Sequence, residues 1–434
     1  MLGLRKNKFL KNITMLASGT IISQIILVAI TPLLTRFYSP SDFGVFSLYT
    51  ATLSIISIIS TLRYEQAIPL SKENTGAIRI VNLSFFILGI VSSLILLSIL
   101  LIKVLVPSYN FFGVGPYVYI VPISILLLGG YQIISLWCTK QEYYASISTS
   151  SVNRSIVTST IQIIVGFIMS SPFGLIVGQV LGQVVALYTL LKKIDFLKGK
   201  LKFSTQEMKE DFKNHKEFPV YSVPQSLLNS LSQNLPSFLL ISFFSHTVVG
   251  YYAMCLKILQ MPITIVSQTL RQVYYQKAAN LYNHEEDVFS FFRKVTIILT
   301  GVAIVPLLLI VLVGPQLFSF FLGEEWKISG EYSRWVIMWL FFAIINPPSV
   351  AMIYILKLQK FYFYYDLALF ILRALSLVIG GLYFSSLTTI ATYSIVGAIM
   401  NLFLIITVYI TTNTKAKGKT NVKEANFKVE ELRS

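Results

Sequence analysis

Histidine and cysteine are scarce, with three and two residues respectively in a chain of 434. The histidines, His215, His246 and His284, lie too far apart in sequence to suggest a zinc pair. Cys138 and Cys255 both fall in apolar stretches and read as small buried hydrophobes, so a disulfide framework is not expected. Charge is also scarce: 12% of residues are Asp, Glu, Lys or Arg, against about 25% in a soluble protein. No GxxxxGK[ST] motif is present, which argues against ATP hydrolysis at a P-loop. The aspartate-rich motifs that hold Mg²⁺ and pyrophosphate in glycosyltransferases are missing, and no hydrophilic loop is large enough for a catalytic domain. From these absences we expect no metal site, no cofactor and no enzymatic activity.

What is present is hydrocarbon. Residues of the apolar class make up 55% of the chain, gathered in runs of the length that spans a bilayer. A spanning segment must satisfy its own backbone, and the period-2 alternation of a barrel strand is absent, so the spans are helices. Their expected limits are about 13–35, 43–62, 80–102, 117–138, 150–170, 173–191, 219–243, 249–270, 295–319, 332–355, 362–384 and 389–411. The first is too long for a signal-peptide core and reads as a retained membrane helix. The expected fold class is an all-α polytopic membrane protein of about 12 transmembrane helices.

The net charge of +16 is explained by topology. With the N-terminus cytoplasmic, Arg5, Lys6, Lys8 and Lys11, the lysines of 192–216, Arg293, Lys294, Lys357, Lys360 and the basic tail all fall on one side. The other side has only Arg36, Lys103, Lys327 and Arg334, beside Glu324, Glu325 and Glu331. This asymmetry is the positive-inside rule, and it places both termini on the cytoplasmic side of the membrane. It removes the case for nucleic acid and leaves some charge to attract anionic headgroups. The expected division is an N-terminal six-helix bundle over 1–192, a lysine-rich cytoplasmic linker over 193–217, a C-terminal bundle over 218–412 and a basic tail over 413–434.

The two bundles carry a repeat. In "TRFYSPSDFG" (35–44) and "ISFFSHTVVG" (241–250), an offset of 206 pairs Phe37 with Phe243, Ser39 with Ser245, Ser41 with Thr247 and Gly44 with Gly250. "VLVPSYNFFG" (104–113) and "VLVGPQLFSFFLG" (311–323) close two further helices alike. Matches at nearly constant spacing indicate an internal duplication. Ser41 or Asp42, and Thr247 in the copy, are candidates to cap the following helix. Gly44 and Gly250 allow close helix approach. An even number of helices per copy makes the copies parallel. A pseudo-twofold along the membrane normal then relates the bundles, with a cavity between them.

Polar residues mark that cavity. Gln225, Asn229, Ser232 and Gln233 form one stripe; Lys257, Gln260, Thr264, Gln268 and Arg271 form another; Gln24 lies in the first span and Arg154 in the fifth. Ser and Thr can bond back to their own helix, and the arginines can snorkel to headgroups. Lys257 lies at hydrocarbon depth, where insertion costs about 2.5–3.5 kcal/mol, and this favours an aqueous, anion-accepting lumen. Lys257, Arg63, Arg154, Arg271, Gln225, Asn229, Gln233 and Gln24 are the candidate lumen residues. In "LRYEQAI" (62–68), Glu65 has Arg271 at its duplicate position. A latch between the halves, a coupling-ion carrier and a plain surface pair with Arg63 are all open. Asp366 is a second candidate ion or gate residue.

The stretch "GTIISQIILVAITPLLTRFYSPSDFGVFSLYTATLSIISIISTLRYEQAI" (19–68) resembles the opening of the Wzx-type oligosaccharide flippases. They belong to the polysaccharide transporter family, in the superfamily of the multidrug and toxin extruders and the lipid II flippases. The matching features are a polar first helix, the Pro40, Asp42-Phe43-Gly44 turn, and Arg63-Tyr64-Glu65 closing the second helix. The resemblance implies a polyprenyl-diphosphate-linked oligosaccharide, an O-antigen or capsule repeat unit, turned to the outer leaflet by alternating access. It implies coupling to H⁺ or Na⁺, and a polysaccharide polymerase and chain-length proteins as partners. The listed cations would then meet the diphosphate, and the amides the sugars. A drug or cation antiporter of the extruder type would prefer an acidic lumen. A membrane polymerase or ligase would need a large external loop.

Overall fold

The computed structural model describes residue 15 and residues 18–192, 205–284 and 286–431; of these, the side chains at 205, 262, 264–273 and 415–431 fall outside the description. All regular structure among the described residues is helical. The order is α1 (Ser18–Phe37), α2 (Pro40–Ser60), α3 (Asn74–Leu105), α4 (Gly115–Lys140), α5 (Tyr144–Ile168), α6 (Pro172–Leu191) and a short α7 (Thr205–Asn214). There follow α8 (Val223–Phe243), α9 (His246–Asn283), α10 (Val288–Leu322), α11 (Lys327–Ile345), α12 (Pro347–Ile355), α13 (Gln359–Tyr383) and α14 (Ser386–Glu431). Among the described residues, ten helices are long and apolar enough to cross a membrane. The expected spans at 219–243 and 249–270 are the helices α8 and α9, outside that set; α8 carries Gln225, Asn229, Gln233 and Asn234 along its length. The expected span at 332–355 is broken: α11 stops at Ile345, and Pro347 and Pro348 open a separate helix. Proline lacks the N–H that would continue the ladder but fits a first turn.

The solvent for this fold is lipid, and the long helices show it. Leu94, Leu97, Leu101 and Val104 stand exposed on α3, and Ile298, Val302, Val305 and Leu312 on α10. Beside buried apolar side chains such as Leu48, Ile125 and Phe292, several helix contacts are made by small and polar residues, as is common in membrane helix packing.

The chain separates into two compact units, Met1–Ala253 and Met254–Ser434. In the first, α6 lies close on α5 because Gly178 and Gly182 face Gln162 and Thr158 with no room for a Cβ. Polar bonds pin the rest: Tyr38 Oη donates to the Gln162 carbonyl (2.6 Å), Gln162 Nε2 to the Leu175 carbonyl (2.9 Å), and Ser150 Oγ to the Ala186 carbonyl (2.8 Å). Tyr49 and Ser124 share a hydrogen bond of 2.5 Å. In the second unit, α10 and α11 meet backbone to backbone where Gly330 abuts Pro315 and Gly314. Tyr332 Oη donates to Ser386 Oγ (2.8 Å), and the Asn346 amide donates to Asn401. Tyr274, Phe292, Met352 and Leu404 center its core.

The repeated turn has a different cap from the one expected. Ser39, not Ser41 or Asp42, caps α2: its Oγ accepts from the Asp42 N–H (3.2 Å), and the Asp42 carboxylate accepts from the Ser39 N–H (2.8 Å). Two free amides are satisfied by this reciprocal box. In the copy, Ser245 Oγ accepts from the Val248 N–H (3.4 Å), at the same offset of 206. A second local pattern recurs further on. After α4, Glu142 turns left-handed (φ 59°) and the Tyr143 N–H bonds the Cys138 carbonyl (2.8 Å). After α12, Lys357 turns left-handed (φ 60°) and the Leu358 N–H bonds the Ile353 carbonyl (2.8 Å). Gly113 (φ 82°) and Gly323 (φ 109°) follow the two long helices α3 and α10.

Candidate functional site

The "LRYEQAI" motif makes a strained loop. Leu62 (φ 49°) and Arg63 (φ 63°) are both left-handed, after which Tyr64–Leu70 winds as a tight 3₁₀ turn. Non-glycine residues in that region persist only where surrounding contacts hold them, and such residues cluster at functional sites. The loop buries Glu65, which is 2% exposed, so it is no surface pair. Thr61 Oγ1 donates to Glu65 Oε2 (2.5 Å), and Arg63 Nη1 stands 3.9 Å from Oε1. Burial pushes the Glu65 carboxyl above the usual carboxylate range; the Thr61 hydrogen bond and the Arg63 guanidinium draw it part of the way back.

The loop is clamped from the linker side. Tyr64 stacks on Phe212 of α7 (5.3 Å between centroids) and donates its hydroxyl to the Phe212 carbonyl (3.1 Å). Arg79 on α3 pairs with Asp211 at 3.3 Å. Asp211 is buried, which raises its carboxyl, while Arg79 and His215 oppose the shift. A cleft of about 840 Å³ opens beside them, lined by Lys72, Glu73, Arg79, Glu207 and Asp211 among others. Its mixed charges do not make a cationic cradle. The segment read as a lysine-rich linker thus carries a docked helix; its signal was one hydrophobic stripe, Met208 and Phe212, among charges.

The other candidates are distributed along the helices. Gln225, Asn229 and Gln233 share one exposed face of α8, and Gln233 Nε2 donates to Asn229 Oδ1 (3.1 Å). The neighboring face of α8 packs on α2, where Asn234 Nδ2 donates to Ser54 Oγ (2.8 Å). Gln24 is exposed on α1. Arg154 is half-buried on α5 and interacts electrostatically with Tyr131 of α4. Lys257 is half-buried on α9. Asp366 is exposed near the start of α13, beside the stacked pair Tyr362 and Tyr365. The Arg271 side chain lies outside the described residues, and so does the pairing of Glu65 with it. Arg63 is joined to Glu65 but lies in the loop beyond the end of α2, apart from the mid-helix cations.

Arg373, one of the arginines that the sequence leaves free to snorkel to headgroups, is not among the candidate lumen residues. Ten residues before the end of α13, it lies between Trp339 of α11 (4.7 Å) and Tyr393 of α14 (4.8 Å). At about 1.5 Å per residue this is about 15 Å from the helix end, near the middle of the hydrocarbon. Two cation–π contacts of about 0.5–2 kcal/mol each offset an insertion cost of about 2.5–3.5 kcal/mol. Substitution by Met removes both terms, whereas Lys keeps the cost and loses the flat stacking. We therefore expect Arg373→Lys to lower the thermal midpoint more than Arg373→Met, as read by a thiol-reactive unfolding assay in detergent. A Lys variant as stable as the wild type would show that the aromatic faces are not what holds the cation.

These features define an all-α, polytopic membrane protein with small-residue helix packing and ionizable side chains held within the bundle. The sequence matches the family described as "Polysaccharide biosynthesis protein" over residues 33–331, and the chain belongs to that family. The membership agrees with the resemblance to Wzx-type flippases read from residues 19–68. Comparison with curated proteins gives no match. Among solved structures, the fold is similar to that of the lipid II flippase MurJ in an inward closed conformation. The TM-score is 0.66 and the identity 15%, covering 95% of this chain and 92% of that one. It is similar also to an inward-facing multidrug resistance MATE family transporter of the MOP superfamily (TM-score 0.59, 13% identity, covering 94% and 95%). A third likeness is to a MOP superfamily transporter from Pyrococcus furiosus with a binding pocket of reversed polarity (TM-score 0.57, 13% identity, covering 94% and 96%).

Proposed function

We propose that this protein is a flippase for a polyprenyl-diphosphate-linked oligosaccharide, an O-antigen or capsule repeat unit, carried from the cytoplasmic to the outer leaflet of the bacterial inner membrane. The observation that carries the reading is family membership joined to a fold shared over nearly the whole chain with a lipid II flippase. Transport, not catalysis, is the activity, and H⁺ or Na⁺ drives it. In this reading twelve helices form two six-helix bundles, 1–192 and 218–412, related by a pseudo-twofold along the membrane normal, with both termini cytoplasmic. The recurring serine caps and left-handed turns support that symmetry. Lys257, Arg154, Arg63 and Arg271 offer cations to the diphosphate, and Gln24, Gln225, Asn229 and Gln233 offer amides to the sugars. A polymerase and chain-length proteins take the product.

The MATE-like fold keeps a drug or cation antiporter as the second reading, and the basic character of the candidate lumen disfavors it. Deletion of the gene in its host tests the proposal. Surface polysaccharide should be lost while lipid-linked repeat units accumulate on the cytoplasmic leaflet, and a plasmid copy should restore both. Repeat units that still reach the outer leaflet and merely fail to polymerize would rule out the flippase.

A further inference from the structure

The first unit holds two helix starts together at one end in an unusual way. A Cβ on Gly44 of α2 would overlap the backbone carbonyl of His246 at the start of α9, and a Cβ on Gly250 would overlap the carbonyl of Pro40. The contact is reciprocal: Pro40 and His246 stand at the same offset of 206 as Gly44 and Gly250. The two first turns therefore meet backbone to backbone, with no side chain between them. Such a contact parts without any rotamer being rearranged.

A loop from elsewhere in the unit lies over the junction. Between α3 and α4, Phe111 (φ 42°), Phe112 (φ 56°), Gly113 (φ 82°) and Gly115 (φ 62°) are all left-handed. For two phenylalanines this is a strained conformation, and it persists only where surrounding contacts impose it. Within the loop, Phe111 and Val114 are buried, and the Gly113 and Gly115 N–H groups donate to the Asn110 carbonyl. The His246 Nε2–H donates to the Gly113 carbonyl at 2.7 Å. Phe112 meets Phe238 of α8 edge-on (5.9 Å) while remaining 63% exposed. Gly113 sits against Ile241 of α8 and Leu48 of α2, with space for nothing larger. One short loop thus touches α2, α8 and α9, through one hydrogen bond, one edge-on ring pair and the close approach of Gly113. The second copy differs: after α10, Phe320 and Phe321 pack on each other (5.1 Å) and stand 76% and 55% exposed.

We propose that residues 110–115 are a strained clasp that holds the α2 and α9 starts closed on the glycine contact, and that releasing this clasp opens that end of the transporter. The inference rests on the transport reading only for the meaning of the opening. The strain favors release; the His246 bond, the Phe112–Phe238 contact and the burial of Phe111 and Val114 oppose it. A ligand that favors the open arrangement shifts this balance. His246 is a positioning residue, acting on the loop through its hydrogen bond.

Spin labels at Ser108→Cys and Ser242→Cys, exposed positions beside the loop and on α8 that leave the Phe112–Phe238 contact intact, in a Cys138→Ala, Cys255→Ala background reconstituted in nanodiscs, test the opening. We expect two distance populations by pulsed electron resonance. Their ratio should shift severalfold on adding a fluorescent polyprenyl-diphosphate N-acetylhexosamine. His246→Ala should raise the long-distance fraction severalfold, and His246→Gln, which keeps a donor, should restore most of it. Joining the same two cysteines with a cleavable methanethiosulfonate cross-linker should cut lipid transport in proteoliposomes at least tenfold, with recovery on reduction. A single short distance in every condition, with the probe and with imposed pH or Na⁺ gradients, overturns the clasp. So does full transport by the cross-linked protein, and in that case the flippase reading still stands. A wild-type protein that moves no probe, yet shows the two distances shifting under an ion gradient, keeps the clasp and removes the proposed substrate.

Discussion

Replacing Lys257 by Ala is expected to lower transport of a polyprenyl-diphosphate probe about 10- to 100-fold at unchanged abundance, whereas Lys257→Arg stays within about threefold of the wild type. The residue lies 11 positions into α9, and at about 1.5 Å per residue the Cα is about 16 Å along the helix. In the proposed twelve-helix reading, that is near the middle of a hydrocarbon layer about 30 Å thick. A lysine there carries an insertion cost of about 2.5–3.5 kcal/mol that a helix-packing role does not require. A charge-assisted hydrogen bond to a phosphate oxygen contributes about 1.5–3 kcal/mol, and each 1.4 kcal/mol is a factor of about ten. Arginine preserves the charge and can grip the phosphate with two parallel bonds, so it substitutes here where lysine fails to substitute for a stacked arginine. Initial-rate transport in proteoliposomes, normalized to protein in the membrane, is the measurement. Full activity in both variants would remove Lys257 from substrate binding and with it the main argument for a cationic lumen.

The contrast between Lys257 and Arg373 shows where sequence reading succeeds. The long apolar helices and the limits of most of them are local properties, legible from hydropathy, and so is the recurrence of the serine turn at constant spacing. Ser39 could have been found as the cap, because Ser39-Pro40-Ser41-Asp42 is the capping-box spacing. The break at Asn346 was announced by Pro347-Pro348 and masked by the apolar residues on either side. Other features are non-local. Arg373 is held by Trp339 and Tyr393 from two other helices. Glu65 is buried by an unusual pair of left-handed residues, and Tyr64 is covered by Phe212, 148 positions away. No periodicity encodes such contacts. The lumen candidates are a mixed case. The amide row of α8 emerged as one face, because residues four apart on a helix share it. The expected gathering of cations depends on how distant helices meet.

Glu65→Gln is expected to abolish the stimulation of transport by an imposed pH gradient and to leave equilibrative exchange of the probe within a few fold. The variant keeps the shape and an acceptor for Thr61 while freezing the side chain in its uncharged form. In the wild type, burial raises the carboxyl's affinity for a proton, against the Thr61 bond and the Arg63 charge. The sign for stability follows. A carboxyl whose folded pKa lies above its unfolded value, about 4.3, adds most stability below that value and loses it as pH rises through the folded pKa. The thermal midpoint of the wild type should therefore fall relative to Glu65→Gln as pH is raised from about 4 and then level off, the opposite of an exposed salt-bridged glutamate. Arg63→Gln should deepen that fall and carry its end to higher pH, because it removes a charge that favors the ionized form. A midpoint difference independent of pH would show that Glu65 does not titrate differently in the folded protein. Gradient-driven transport surviving in Glu65→Gln would assign coupling elsewhere, with Asp366 on α13 the next carboxylate to neutralize. The left-handed Leu62–Arg63 turn connects the two halves of this prediction. It places the acid in the interior at the end of α2, so that a change of charge on one carboxyl acts directly on the segment that joins α2 to α3.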